Sequence, residues 1–469
     1  MNRNNFLVHV ALAVVLILVA AFAGQLRRWQ KQYKSRVRII PMEQKVREAK
    51  TAEEIATLEA RNGSAPEVLV KFKSGVTKAT IDEITSRLHD QVEDSIECDP
   101  GLTAVDDLDE ADPVQTAATY SRLPEVEYAE PNYEISLDDF PFNPVRPSDP
   151  RFADQWALAN DGQRGGKAGA DISAMTAWSV TTGDDDVVIA VLDSGVDYNH
   201  QDLANNIWTR PNNVPEYVDD AAGTVQDLHG YNAIDNNADP MDDNGHGTHC
   251  AGIIGAEGGN DIGITGVNWK VRIMPLKFMN AGGFGTTKDA IEAINYVIDR
   301  RNKGVNVRVI SASWGSTNKS RALEEVIKKA YEAGILFVAA AGNASTDNDK
   351  RPHYPSSFNV GNVISVAALD RNDQLAPFSN YGVKSVAIAA PGVDILSTWL
   401  GDEYEEKSGT SMATPVISGV AGLIVANEPR ISVDDLRKRI VTSVDKIDTL
   451  KGKVTSGGRI NAAKALGVR

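Results

Sequence analysis

Apolar positions in the last two thirds of the chain follow two alternating patterns. Short continuous apolar runs are typical of buried strands, and longer segments with apolar residues at helical spacing are typical of helices. The runs predict strands over 187–192, 271–277, 307–311, 335–340, 363–367 and 385–389, and the longer segments predict helices from His246 and over 287–301, 320–333 and 411–427. Strands that alternate with helices predict an α/β fold with a parallel sheet flanked by helices.

The last of these helices, 411–427, is apolar on nearly all sides, so we expect it to be buried under the sheet. Pro415 falls in its first turn, where the missing N–H costs little. The remaining stretch, 432–469, predicts a short helical ending with no further domain.

Residues 64–137 predict a separate small α+β domain. The alternating segment 67–73 predicts a strand, followed by a helix over 80–88, a strand over 102–105, a helix over 112–121 and a strand over 126–133. Four prolines between 138 and 150 indicate a linker, so the main domain is predicted to span 151–469.

The N-terminus carries an apolar stretch, 6–23, that follows Arg3 and ends in Ala21-Phe22-Ala23. This pattern predicts a cleaved secretory signal over 1–23. A retained membrane anchor stays open, because the stretch is long enough to span a bilayer and basic residues crowd its far side. A basic, partly helical linker is predicted over 24–63.

Charge and cysteine content exclude some classes of protein. The 469-residue chain has a net charge of −16, while its first 50 residues carry ten Lys/Arg against two Asp/Glu. The rest is therefore acidic, which argues against nucleic acid as a partner. With two cysteines, Cys98 and Cys250, in different predicted domains, no disulfide is expected within the main domain.

Three motifs carry candidate chemistry. The strand 187–192 is followed by Asp193, the segment Asn-Gly-His-Gly-Thr-His-Cys holds His246 between glycines, and Ser-Gly-Thr-Ser-Met-Ala-Thr-Pro places Ser411 at a helix start. An acid, a histidine and a serine at element ends are the parts of a nucleophilic acyl-transfer site. Each alone has a plainer interpretation, such as a turn carboxylate or an N-cap. His249, inside the helix, is interpreted as structural.

These motifs, in the order Asp193, His246, Ser411, closely resemble those of the subtilisin-like serine peptidases, the subtilases. Cys250 after the second histidine resembles the thermitase and proteinase K branches. The resemblance implies a subtilisin-like α/β sheet and a secreted or extracytoplasmic serine endopeptidase that cleaves proteins or peptides. It also implies that 64–137, most clearly 126–133, is a ferredoxin-like inhibitory propeptide, removed by self-cleavage within 138–150.

The resemblance also implies the binding residues. Asn343 and the Ser411 N–H would stabilise the oxyanion. The substrate backbone would lie between Ser313-Trp314-Gly315 and Gly283-Phe284-Gly285, and Ala340-Ala341-Gly342 would line a roomy first pocket for apolar or aromatic side chains. The loop 346–354 would floor that pocket, and its charged residues are Asp347, Asp349, Lys350 and Arg351. Which of these side chains faces inward stays open.

Calcium is the expected ion, since hard cations take carboxylate, amide and carbonyl oxygens on loops. By resemblance the ligands are Asp149, Asp202, Glu257, Asn260, Ile262 and Ile264. Asn260 would give its side chain, and Glu257, Ile262 and Ile264 would give their backbone carbonyls. A second site in 232–243 stays open, as does the plainer interpretation of both as acidic surface loops.

Two other functions compete with a zymogen endopeptidase. An inactive or very narrow subtilase-fold binding protein would not need the complete set of Asp193, His246, Ser411 and Asn343. An esterase of the α/β-hydrolase class would need Gly-x-Ser-x-Gly and the order serine, acid, histidine, which this chain does not have.

Overall fold

A computed structural model describes residues 68–96, 99, 101–108, 113–132 and 144–468. It separates into two compact units, one within Met1–Asp139 and one within Phe140–Arg469. The predicted signal or anchor (1–23), the basic linker (24–63), Cys98 and the first part of the proline-rich linker lie outside the described residues.

The smaller unit is an antiparallel sheet with two helices. The strands lie in the order β2-β3-β1-β4. The elements are β1 (Val68–Phe72), α1 (Lys78–Leu88), β2 (Asp90–Ser95), β3 (Leu102–Asp107), α2 (Pro113–Tyr120) and β4 (Val126–Pro131). Alternate residues Val68, Val70 and Phe72 of β1 are buried and form the core with one face of each helix.

Strand β2 was not predicted from the sequence. Its residues, Asp-Gln-Val-Glu-Asp-Ser, contain one apolar side chain, and most of them are exposed. An edge strand with one paired neighbour and little buried surface gives no apolar alternation for a sequence pattern to detect.

The larger unit is built on a nine-stranded sheet in the order β16-β17-β13-β12-β11-β10-β5-β9-β8. Every pairing is parallel except that of β16 with β17. Its elements are α3 (Ala174–Ala177), β5 (Gly183–Asp193), β6 (Tyr217–Asp219), β7 (Gly223–Val225), β8 (Tyr231–Asn232), α4 (His246–Gly255), β9 (Lys270–Lys277), α5 (Thr287–Asn302), β10 (Val307–Ala312), α6 (Arg321–Glu332), β11 (Leu336–Ala340), β12 (Val363–Leu369), β13 (Ile388–Pro391), β14 (Ile395–Trp399), β15 (Glu403–Lys407), α7 (Thr410–Asn427), α8 (Val433–Thr442), β16 (Val444–Lys446), β17 (Gly458–Ile460) and α9 (Ala462–Ala465).

Helices cover both faces of this sheet. On β5, Ile189 and Val191 belong to one core with α4 and α7, while Ala190 and Leu192 belong to a second core with α5 and α6. This alternation follows from the two-residue period of a strand, and a parallel sheet buried on both faces reads as a continuous apolar run. The predicted α/β fold class is confirmed.

Helix α7 is the one helix among the described residues that is long and apolar enough to cross a membrane. Fifteen of its residues are buried, and nine of these belong to the hydrophobic core on the α4 side of the sheet. Its composition is therefore that of a core helix, as the all-round apolar pattern predicts.

Two segments near the C-terminus differ from the sequence predictions. Strand β13 begins at Ile388 and not at Ser385, because the backbone and hydroxyl of Ser385 bind the carboxylate of Asp349 at 2.9 and 2.6 Å. The ending is not only helical, since β17 joins the main sheet beside β13. With three residues, β17 is too short to show a period.

Candidate active site

The carboxyl ends of three neighbouring strands bring the acid and two other predicted residues to one edge of the sheet. Asp193 ends β5, Ser313 directly follows β10, and Asn343 comes three residues after β11, with β10 lying between the other two strands. In open α/β sheets, the crevice outside the carboxyl ends of the strands is where ligands bind.

Asp193 is held rigidly. It is 1% exposed, and its Oδ1 accepts the N–H of Ser194 at 2.8 Å. The same oxygen lies 2.7 Å from Nδ1 of His246. Because an ionised carboxylate only accepts hydrogen bonds, Nδ1 carries the proton and Nε2 of the ring is left free.

The glycines beside His246 are required by close packing. A Cβ on Gly245 would lie 2.5 Å from the Trp399 ring, and one on Gly247 would lie 2.0 Å from the carbonyl oxygen of Gly195. Gly245 also has φ = 99°, which favours glycine. The motif thus lets the first turn of α4 approach Asp193.

The pKa of His246 is raised above its ordinary value. Burial of the ring lowers the pKa, but the charge of Asp193 and its hydrogen bond raise it by more, with a smaller contribution from Asp242. The imidazolium form is therefore stabilised, as a group that takes up a proton during a reaction requires.

Asp242 is a positioning residue that no motif in the sequence indicates. Its buried carboxylate accepts the Ser194 hydroxyl at 2.8 Å, the Gly245 N–H at 3.0 Å, and the N–H and hydroxyl of Thr248 at 2.9 and 2.6 Å. It thereby ties the chain after Asp193 to the start of α4. An aspartate in an acidic loop gives no sequence signal that separates this role from a surface turn.

Ser411 is the second residue of α7, at the end of the helix where the dipole favours negative charge. Its hydroxyl donates to the Ser313 carbonyl at 2.9 Å, and the Ser313 hydroxyl donates to the Ser411 carbonyl at 2.8 Å. Cys250 links Ser411 to the other two motif residues, because its Sγ is 3.6 Å from the Ser411 carbonyl oxygen. The same Sγ, a carboxylate oxygen of Asp193 and a ring nitrogen of His246 all lie within 4.8 Å of one another. The three motif residues are therefore brought together.

The amide of Asn343 is oriented by Thr410. Its Oδ1 accepts both the N–H and the hydroxyl of Thr410 at 2.9 Å, so Nδ2 points away from Thr410. A Cβ placed on Gly409 would lie 3.4 Å from that Nδ2 and 3.6 Å from the Ser411 N. Two N–H donors thus face one small space beside Ser411. Thr410 was not predicted, because a threonine before a serine carries no distinctive spacing.

The three residues after β10 have different surroundings. Ser313 faces the start of α7, and the Trp314 indole is held by its Nε1 donating to the Leu192 carbonyl at 2.9 Å. Gly315 is exposed, and a Cβ there would meet the His353 ring at 2.2 Å. Of Ser313, Trp314 and Gly315, only Gly315 is exposed, and it lies beside His353.

The second predicted substrate segment is a tight turn. Gly285 packs on Phe278, whose carbonyl oxygen would lie 2.3 Å from a Cβ at that glycine, and the Asn280 N–H donates to the Phe284 carbonyl at 2.9 Å. Phe284 as a whole residue is 76% exposed. Gly283 lies next to Asn244, which ties this turn to the loop before His246.

Ala340, Ala341 and Gly342 are all buried. The Gly342 N–H donates to the Thr410 hydroxyl at 3.1 Å, and its carbonyl accepts the Asn380 N–H at 2.8 Å. This segment therefore acts as a fixed support for Asn343.

The predicted calcium ligands meet around Asp202. The Asp202 carboxylate is 0% exposed and accepts the Asn260 side-chain N–H at 2.9 Å and the Ile264 N–H at 3.0 Å, and its carbonyl accepts the Glu257 N–H at 2.8 Å. The Ile262 N–H donates to Oδ1 of Asn260 at 2.8 Å. Asn260 and Ile264 thus contact the Asp202 carboxylate directly, while Glu257 contacts the Asp202 backbone and Ile262 contacts Asn260.

Two features of this cluster fit a cation. Oδ1 of Asp149 is buried with no hydrogen-bond partner, although Oδ2 accepts the Gly259 N–H at 2.7 Å. Burial raises the pKa of Asp149, with the charge of Asp261 adding to the effect. Burial also raises the pKa of Asp202 to about 6, with the charge of Asp149 adding to the effect. Two buried carboxylates without a basic partner are stabilised by a bound cation.

The polar residues of 232–243 are largely engaged in their own loop. Asn232 accepts the N–H groups of Ile234 and Asp235, and Asp239 accepts the Met241 N–H and the Tyr198 hydroxyl. A second calcium site in this segment stays a prediction.

His249 is fully buried. Its Nε2 lies 3.0 Å from the Glu405 carbonyl of the β14–β15 hairpin, and burial lowers its pKa to about 3. A ring that stays neutral and bonds a neighbouring hairpin has a structural role, as the sequence analysis expected.

Two family models match the chain. Residues 184–464 match the Subtilase family, and residues 50–132 match the fervidolysin N-terminal prodomain. Thermophilic serine proteinase of Bacillus sp. (strain AK1) is 36% identical over 344 residues, which cover 73% of each chain. Thermitase of Thermoactinomyces vulgaris is 37% identical over 295 residues, or 63% of this chain and 93% of thermitase. The cell wall-associated protease of Bacillus subtilis (strain 168) is 35% identical over 71% of this chain and 33% of its own.

A solved protease from Pseudoalteromonas arctica has a TM-score of 0.56 at 27% identity, covering 68% of this chain and 98% of that one. The resemblance inferred from the three motifs is therefore confirmed, and so is the prediction of an enzyme of the serine endopeptidase class. This chain belongs to the subtilase family of serine proteases, with an N-terminal segment that matches the fervidolysin N-terminal prodomain.

Proposed function

We propose that this subtilase hydrolyses internal peptide bonds through Asp193, His246 and Ser411, and that it is made as a zymogen which removes its own propeptide. The observation that carries the proposal is the 2.7 Å contact between His246 Nδ1 and the buried Asp193, with Ser411 and the Asn343 amide beside it. Asp193, His246, Ser411 and Asn343 are all present, and each has a hydrogen-bond partner that orients it. This favours an active enzyme over an inactive binding protein.

The reaction follows from these contacts. The Ser411 hydroxyl turns from the Ser313 carbonyl to His246, which takes its proton at the free Nε2 while Oγ attacks the scissile carbonyl. Asp193 stabilises the imidazolium. The Asn343 Nδ2 and the Ser411 N–H donate to the oxyanion. His246 then protonates the leaving amine, and water hydrolyses the acyl-enzyme by the same steps.

The zymogen part of the proposal assigns 64–137 to the propeptide, 138–150 to the cleaved linker and 151–469 to the mature enzyme. The prodomain match over 50–132 supports the first assignment. An antiparallel α+β unit over the described part of 68–132 gives the chain a folded segment that can inhibit before cleavage. The substrates proposed are proteins and peptides, with the propeptide as an intramolecular inhibitor and no nucleic acid.

The proposed location is outside the cytoplasm. The apolar stretch 6–23 supports export by a cleaved signal or, alternatively, retention by a membrane anchor. The name of the cell wall-associated relative fits an extracytoplasmic protease.

The activity is tested by incubating the purified full-length chain with casein and, separately, with a fluorophosphonate that labels reactive serines. We expect casein loss and labelling of Ser411. Labelling without casein loss would favour the alternative of a narrow-specificity protease, and the absence of both would favour an inactive subtilase-fold binding protein.

We also propose a structural calcium ion held by Asp149, Asp202 and the loop of Glu257, Asn260, Ile262 and Ile264. The ion would neutralise the two buried carboxylates and fix this loop against the rest of the unit. No catalytic step passes through it.

Calcium stabilisation is expected to increase with pH through about 6. The folded-state pKa of Asp202 is about 6, above the value of about 3.9 for an unfolded chain, so the metal-free fold loses stability as pH rises between the two values. The loss is about 2–3 kcal/mol, and calcium offsets it by binding the ionised form. The measurement is the difference in Tm between calcium and EDTA at pH 5 and pH 7.5.

Asp202→Asn should reduce the pH-dependent part of that difference to what Asp149 contributes, whereas Asp261→Asn, which changes an exposed acid in the same loop, should retain most of it. Equal Tm values in calcium and EDTA at pH 7.5 would contradict the site.

Replacing Cys250 with alanine is expected to leave kcat/KM within about threefold of the parent, because this free thiol is buried and burial raises its pKa well above the ordinary value. A mercurial that reaches Sγ should inhibit the parent by crowding His246 and Ser411, and it should not inhibit the variant. The measurement is peptide hydrolysis with and without the mercurial, and an inactive alanine variant would contradict this assignment.

A further inference from the structure

The ring of His353 lies between two glycines of the proposed substrate site. A Cβ on Gly315 would lie 2.2 Å from Cε1 of the ring, and a Cβ on Gly342 would lie 3.1 Å from Cδ2. These two glycines belong to the segments after β10 and β11, on either side of the position expected for the first pocket. His353 therefore occupies the space between the two segments.

The four charged residues of the same loop are directed elsewhere. Asp347 pairs with Lys350 at 2.9 Å, Asp349 binds the backbone and hydroxyl of Ser385, and Arg351 is exposed. His353 is partly buried and contacts both glycines. Asn348 also faces inward, but its amide is engaged with the Ala341 carbonyl at 2.8 Å. The side chain of the loop that lies between Gly315 and Gly342 is thus the imidazole and none of the four charged groups.

This position adjoins the reacting groups. Gly342 directly precedes Asn343, which is proposed to bind the oxyanion, and Gly315 is two residues from Ser313, whose carbonyl accepts the Ser411 hydroxyl. A side chain that reaches from an acyl group at Ser411 between these two segments meets the His353 ring. In a peptide substrate, that is the side chain of the residue before the scissile bond.

The surroundings of the ring favour its neutral form. Burial lowers the pKa of His353, and a hydrogen bond to the Ala340 carbonyl partly opposes this effect. Nδ1 is 3.4 Å from the Ser356 hydroxyl, which itself donates to the His353 carbonyl at 2.8 Å. The loop is further fixed by Ser316 and Tyr354, whose backbones exchange hydrogen bonds of 2.7 and 2.8 Å. The imidazole is thus a fixed group and not a mobile one.

We propose that His353 forms the floor of the pocket for the residue before the scissile bond and makes this pocket shallow. The preferred substrates then carry small or medium side chains there, and aromatic ones are disfavoured. This replaces the expectation of a roomy pocket, which rested on the small residues of 340–342 alone. The proposal rests on the proposed peptidase function.

The test compares peptide p-nitroanilides ending in alanine, leucine or phenylalanine, hydrolysed by the parent, His353→Gly, His353→Ala and the control Arg351→Ala. We expect the phenylalanine-to-alanine ratio of kcat/KM to rise at least about tenfold in His353→Gly and less in His353→Ala, since a change in pocket size of this order is worth about 10- to 200-fold. Arg351→Ala should keep the parent's ratio.

An active parent whose ratio is the same in His353→Gly would overturn the proposal, as would a parent that already prefers phenylalanine over alanine by more than tenfold. Fluorophosphonate labelling and Tm are measured on every variant, so that His353→Ala replaces His353→Gly if the glycine variant does not fold. Absence of hydrolysis and labelling in the parent would instead contradict the proposed function itself.

Discussion

Ser411→Ala is expected to lower kcat/KM for peptide hydrolysis by about 10⁴- to 10⁶-fold, the scale known for triad variants of the related subtilisin. The physical reason is that the variant has no nucleophile to form the acyl-enzyme. The oxyanion donors and substrate contacts remain, so a small rate above that of water should persist. The measurement is hydrolysis of a peptide p-nitroanilide by enzyme freed of its propeptide.

Ser418→Ala is the matched control for this variant. Ser418 is a buried serine on the same helix, and its hydroxyl donates to the Ser311 hydroxyl at 2.9 Å, away from His246. The same atom is removed from α7, so a general effect on the helix would appear in both variants. Loss of activity in Ser418→Ala to the same extent would contradict the assignment of Ser411.

Ser411→Ala also tests whether the propeptide is removed autocatalytically. If the propeptide is removed by the chain's own active site, Ser411→Ala should accumulate as a full-length precursor. Added parent enzyme should then cleave the precursor within or near 138–150 if processing also occurs between molecules. A processed Ser411→Ala protein, made in a host without other subtilases, would contradict self-cleavage.

The sequence predicted the parts of the site that depend on a chain's local chemistry. The apolar runs located β5, β10 and β11, and the residues at their carboxyl ends include Asp193, Ser313 and Asn343 because a parallel sheet aligns those ends. The sequence places His246 between two glycines, and the structure shows that Trp399 and the Gly195 carbonyl pack against them. Family resemblance then supplied roles that spacing alone could not.

The site residues that the sequence did not predict act through contacts between different segments of the chain. Asp242 acts through Ser194 and Thr248, on different elements, and His353 acts through Gly315 and Gly342, which precede it by 38 and 11 positions. The hairpin β14–β15 supports α4 through His249, but its ten residues carry mixed polar and apolar side chains with no clear period. Hydrophobic periodicity along the chain reveals neither contacts between separate segments nor a hairpin that lacks such a period.

Asn343→Ala is expected to lower kcat by about 10²- to 10³-fold, the range found for the corresponding oxyanion amide of subtilisin, with little change in KM. Oxyanion charge develops after the substrate is bound, so a donor that acts on it stabilises the transition state more than the ground state. The measurement is the separation of kcat from KM with one peptide substrate.

Asn343→Asp separates the two contacts of this side chain. An aspartate retains an oxygen that accepts the N–H and hydroxyl of Thr410, but it replaces the Nδ2 donor with a second acceptor that carries negative charge. If the donor acts on the oxyanion, kcat of the aspartate variant falls at least as far as that of the alanine variant. If Asn343 serves only to anchor Thr410 at the start of α7, Asn343→Asp keeps most of the activity while Asn343→Ala loses it, and the oxyanion role would have to be withdrawn.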